Sequence, residues 1–174
     1  DRTLAAADLA NAVEPGKSLR LRVEWTGKFP RNFDRTGAIG KYFFVSQWFP
    51  KLGVFEGLGW TAHQFFANSE FYADFGTYDV SMTVPNDYVL GATGLLYSTE
   101  EGDGFTTYRY VADDVHDFAW TASADYLEYT QQWRHVAIRA LIRPAHKGQA
   151  QRHIDAAVAA LERYDAWVGE YPYT

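Results

Sequence analysis

Residues 78–111 read YDVSMTVPNDYVLGATGLLYSTEEGDGFTTYRYV. Tyr78 to Val84 is rich in β-branched and aromatic residues and stops at Pro85, which has no N–H to give a ladder. Tyr88 to Tyr97 follows a short polar turn, and Glu100-Glu101-Gly102-Asp103-Gly104 is a hairpin connection. Thr106 to Val111 is the returning strand. Three apolar runs joined by short turns predict an antiparallel sheet.

The same grammar extends in both directions. Upstream, Leu19, Leu21, Val23 and Trp25 alternate with Arg20, Arg22 and Glu24, the period of a strand with one wet face. Tyr42 to Phe49 is a continuous aromatic and aliphatic run stopped by Pro50, which predicts a strand buried on both faces. Between Gly53 and Phe75 the aromatic residues recur without a clean period, and the segment reads as irregular. Downstream, His116 to Thr121 predicts a strand with His116, Phe118 and Trp120 on one face, and Trp133 to Ile142 predicts another, ended by Pro144.

After residue 146 the period changes. Ile154, Ala157, Val158, Leu161 and Val168 fall on one helical stripe, with Arg152, Asp155, Glu162 and Arg163 off it. Lys147 or Gly148 opens the helix and Gly169 terminates it. Burying Ile154, Val158, Leu161 and Val168 contributes roughly 6–12 kcal/mol before chain entropy is subtracted. The expected fold class is therefore mainly β, an antiparallel β-sandwich followed by one C-terminal α-helix.

Composition agrees with a globular domain. Of 174 residues, 47% are apolar, 22% charged and 17% aromatic, and the aromatic excess favours half-buried strands. The net charge of -6, with no Lys/Arg run, argues against a nucleic-acid partner. The absence of cysteine excludes disulfides, thiolate metal sites and a Cys nucleophile, and leaves the compartment open. No apolar run is long enough for a membrane-spanning helix. The chain begins at Asp1 and ends soon after a helix, and both ends read as cuts in a longer chain.

No stretch carries a complete catalytic constellation. The histidines, His63, His116, His135, His146 and His153, form no H-E-x-x-H, in which two His one turn apart hold zinc and a Glu activates water. His146 and His153 are seven apart, but Pro144 and Gly148 place His146 ahead of the helix. Asp113-Asp114-Val115-His116-Asp117 reads either as a divalent-cation site or as a solvated turn. Glu70 with Asp74 is a weak acid/base pair for glycoside hydrolysis. No nucleophile elbow surrounds Ser46, Ser69 or Ser81, and no phosphate-cradling glycine loop precedes the helix. Exposed aromatics on such a fold suit a stand-alone binding module for glycan or protein, although aromatics at alternate strand positions are more often core.

Several stretches resemble the membrane alanyl aminopeptidase family of zinc metallopeptidases, in its bacterial branch. They are Ser46-Gln47-Trp48-Phe49-Pro50-Lys51-Leu52-Gly53-Val54, Glu70 to Val80 continuing through Thr83-Val84-Pro85, Val115 to Trp120, and the last helix with Glu170-Tyr171-Pro172-Tyr173. They occur in the family's order over residues 19–174. The resemblance implies a saddle-like N-terminal β domain at residues 1–146 and, at 147–174, the first helix of a thermolysin-like catalytic domain. It implies a parent enzyme that removes N-terminal residues from peptides. This chain would then be a non-catalytic region that shapes the cleft, with peptide substrate and the catalytic domain as partners. Zinc is the implied cofactor of the parent. The family's G-x-M-E-N loop and H-E-x-x-H are both absent here, where the one methionine is Met82. The implied compartment is open, with a bacterial cell envelope or secretion compatible. One strand of the family carries a Gln that lines the pocket for the first substrate side chain and, two residues later, often a Glu that holds the free amine. Gln47 matches the Gln, whereas Phe49 stands at the Glu position. A phenyl ring offers an ammonium only a cation–π contact.

Overall fold

A computed structural model describes residues 3–31, 34–66 and 68–174. The 78–111 stretch becomes a three-stranded antiparallel sheet. Strands β5 (Gly76–Pro85), β7 (Leu95–Glu101) and β8 (Phe105–Val115) lie in the order β5-β8-β7. Tyr78, Val80, Met82 and Val84 of β5 turn inward, as do Tyr108 and Tyr110 of β8. On the outer face Arg109 grips Asp79 through two bonds of 2.8 and 2.6 Å and lies over the Tyr97 ring.

A second antiparallel sheet has the order β1-β2-β9-β6, from β1 (Gly37–Ile39), β2 (Tyr42–Val45), β6 (Val89–Ala92) and β9 (Trp120–Ser123). The two sheets share one core, in which Met82 and Tyr110 from the first meet Leu90 and Ala122 from the second. Phe118, from the connection between β8 and β9, is wholly buried among them. Two phenols tie the layers together: the Tyr110 hydroxyl donates to the Leu90 carbonyl at 3.2 Å and that of Tyr108 to Tyr88 at 3.4 Å. Each satisfies a polar tip that would otherwise be costly to bury.

Two hairpins complete the β structure, β3 (Val54–Glu56) with β4 (Gly59–Thr61) and β10 (Leu127–Trp133) with β11 (Val136–Ile142). Arg139 on β11 reaches the Leu90 carbonyl at 2.9 Å and Glu128 at 2.7 Å, which attaches the second hairpin to the core. A 3-10 turn (Pro144–Gln149) leads into helix α1 (Ala150–Val168), which lies against β10 and β11 with Ala150 and Ile154 buried. Gly169 ends α1 at a φ of 106, a conformation open to glycine. The described residues are thus mainly β, with antiparallel sheets and a single C-terminal α-helix. Among the described residues no helix is long and apolar enough to cross a membrane.

Several sequence expectations need correction. Leu19 to Trp25 has strand alternation but joins no sheet. The run from Tyr42 to Phe49 is a strand only to Val45, because Gln47 turns left-handed at φ 52, and Phe44 is exposed. Tyr88 to Tyr97 divides into β6 and β7 at Gly94, where φ is 85. His116 to Ala119 is not strand: the β5–β8 pairing is irregular around Asp114, at φ 54, and ends at Val115 opposite Gly76, and His116 is exposed while Phe118 is core. The irregular segment contains the β3–β4 hairpin, and β10 was absent from the expected strands. On α1, Val168 is 81% exposed, so its share of the expected burial energy is not realised.

Candidate functional site

The segment Ser46 to Gly53 leaves β2 and is pinned on both sides. Ser46 is held by the Thr36 hydroxyl, which accepts its N–H at 3.1 Å and donates to its carbonyl. The Trp48 indole donates to the Phe118 carbonyl at 3.0 Å. The Lys51 ammonium pairs with Asp117 at 2.9 Å, both side chains being largely buried at 18% and 24% exposure. A pair so enclosed is screened much less than a surface pair. Between these anchors Gln47 is forced into the left-handed region, a conformation that costs a non-glycine residue about 1–2 kcal/mol.

Gln47 and Phe49 both line an open cleft of about 410 Å³, whose other walls include Leu52, His63, Phe71 and Tyr72. The Gln47 side chain is half-buried and makes no hydrogen bond among the described residues. Its amide therefore has donor and acceptor capacity free at the cleft rim. Phe49 faces two ways. Its ring meets Trp48 edge-on at 5.4 Å and Tyr78 at 5.7 Å, joining the core, while the rest lines the cleft. The Lys51 ammonium sits 5.7 Å from the Phe49 ring centre. The chain's own ammonium thus already makes a cation–π contact with this ring. Beside it, burial and then the charge of Asp117 push the Tyr78 phenol up, so that it stays a neutral donor. Across the cleft the His63 ring stacks on Phe71, nearly parallel at 6°. Glu56 fixes the Tyr72 hydroxyl at 3.3 Å.

The acid/His stretch does not converge on a common point. Asp113 accepts from the Thr77 hydroxyl, Asp117 pairs with Lys51, and the His116 ring packs on Phe75 at 5.5 Å. Glu70 is engaged by Arg35 at 2.6 Å, and that hydrogen bond holds its carboxyl below the usual range. His146 lies in the 3-10 turn ahead of α1, and His135 contacts the Tyr171 carbonyl at 2.8 Å. Among the described residues no three His, Asp or Glu side chains come together to hold a metal ion, so zinc does not fit the groups described here. Lys51, Asp117, His63, Phe71 and Tyr72 were not singled out by sequence reasoning as a cluster. The Lys51–Asp117 contact joins two connecting segments far apart in the chain and has no local signal.

No protein-family model matches the chain, and no curated protein matches it.

Proposed function

We propose that this chain is the non-catalytic N-terminal region of a zinc-dependent metallo-aminopeptidase, with residues 1–146 as its β domain and 147–174 as the first helix of the catalytic domain. The reading starts from the ordered stretches that resemble that family. The structural observation that supports it best is Gln47, held left-handed at a cleft rim with a free amide. Sparsely populated backbone conformations persist where the surroundings over-determine them, and they cluster at ligand sites. In this reading Gln47 hydrogen-bonds the first residue of a peptide and Phe49 supplies an apolar wall. At the Phe49 ring a substrate amine would be met by the like charge of Lys51, which already lies over it. Zinc and the residue that activates water would come from elsewhere in the parent protein.

The sequence that follows Thr174 in the parent gene tests the reading. An H-E-x-x-H followed by a distant Glu is expected. A reading frame of several hundred residues without it overturns the peptidase assignment.

A binding module for glycan or protein is the second reading. It is favoured by Phe55 and Trp60 on the β3–β4 hairpin, which are 59% and 63% exposed and in edge contact at 5.1 Å. Quenching of Trp fluorescence by oligosaccharides, lost in Trp60→Ala, is what that reading requires.

A further inference from the structure

Leu19-Arg20-Leu21-Arg22-Val23-Glu24-Trp25 has the pattern of a strand and, among the described residues, no strand beside it. From Ser18 to Phe29 the backbone makes no hydrogen bond among the described residues. Leu19, Leu21, Val23 and Trp25 are 50, 57, 61 and 44% exposed. The Arg22 and Glu24 side chains meet 2.6 Å apart on the same side, as alternate residues of an extended chain do. At the far end of the segment Trp25 rests on Trp48 at 5.7 Å and Phe29 on Trp120 at 5.9 Å. A row of free N–H and C=O groups beside an apolar stripe is a template for another strand.

We propose that residues 19–25 pair with the same residues of a second copy of this chain, antiparallel, with Val23 opposite Val23. Charge decides the occupant and the register. In a parallel pair Arg20, Arg22 and Glu24 would each face its own copy, and like charges directly opposite repel. An antiparallel pair centred on Arg22 sets Arg22 against itself, and one centred on Glu24 sets Glu24 against itself. A slip by a single residue mixes the apolar and charged faces. Centring on Val23 places Arg22 opposite Glu24 twice and Leu21 opposite Trp25 twice, with no like charges directly opposite. The segment is self-complementary in that register, as a two-fold interface must be. This inference does not depend on the peptidase reading.

Sedimentation equilibrium of the whole chain, with its Glu24→Arg and Arg22→Glu/Glu24→Arg variants, tests it. A reversible monomer–dimer equilibrium is expected for the unchanged chain. Glu24→Arg turns both attractive pairs into repulsive ones and should weaken the dimer about tenfold or more. The double variant exchanges the charges and should restore the original dimer. Both sites are exposed, so far-ultraviolet circular dichroism should match in all three proteins. A chain that is monomeric at every concentration overturns the proposal and points to a strand from a different polypeptide. A dimer indifferent to Glu24→Arg, or one the double variant fails to rescue, overturns it equally.

Discussion

Replacing Gly94 by Ala probes the close approach of the β6–β7 turn to β8. Gly94 turns the chain from β6 to β7 at φ 85. A Cβ there would lie 2.7 Å from the Ala112 Cβ and closer still to the Val111 carbonyl oxygen. Carbon atoms ordinarily meet at about 3.5–4.0 Å, so the turn must lift from β8 by roughly an ångström. That movement strains Thr93, whose N–H donates to the Ala119 carbonyl at 2.9 Å. The left-handed backbone costs about 1–2 kcal/mol and the overlap about 1–3 more, offset by up to about 1 from the stiffer unfolded chain. The net loss is about 1–5 kcal/mol, which for a domain of this size lowers the melting temperature by about 2–20 °C. Gly104→Ala is the matched control. Its φ is 81, but its Cβ meets nothing within 4 Å, so only the backbone cost applies. Thermal unfolding followed by circular dichroism reads both variants. Equal losses in the two, or a Gly94→Ala change below about 2 °C, would refute the close approach of this turn to β8.

Other outcomes follow from the same contacts. Phe118→Ala empties the centre of the core and should cost about 3–5 kcal/mol in denaturant unfolding. Asp117→Asn leaves the Lys51 ammonium without its counter-charge, and hydrogen exchange at Leu52 and Gly53 should then quicken while exchange in β8 stays unchanged. Glu128 is held below its usual range first by the Arg139 hydrogen bond, so its contribution is complete above about pH 4.5 and is lost as pH falls through the lowered folded value. Glu128→Gln should therefore flatten the acid limb of the stability profile. The purified chain with added zinc should not hydrolyse aminoacyl anilides, and any turnover abolished by a chelator would count against the proposed division of labour.

The helix and the central sheet were legible because their signals are local. The stripe through Ile154 and Leu161 and the terminator Gly169 located α1 to within three residues, and the glycine-rich turn at Gly102 to Gly104 located the β7–β8 hairpin. Where tertiary contacts decide, the sequence was less informative. Residues 19–25 carry strand alternation, but alternation cannot show whether a neighbour strand exists. β10 reads as polar at Thr130, Gln131 and Gln132, and its strand character comes from its seven-residue pairing with β11. Gln47 and Phe49 could be named from the resemblance, but not the left-handed turn or the Lys51 ammonium over Phe49. Those depend on Asp117 and Phe118, more than sixty residues away in the chain.

The most direct measurement compares the full-length parent protein with its Gln47→Ala variant across aminoacyl anilides of different side chain. The expected result is chelator-sensitive hydrolysis in both. The ratio of kcat/KM values between side chains should shift about tenfold in the variant, because a free amide at the cleft rim has been removed. No hydrolysis by the parent contradicts the peptidase reading, and unchanged side-chain preference contradicts the role given to Gln47.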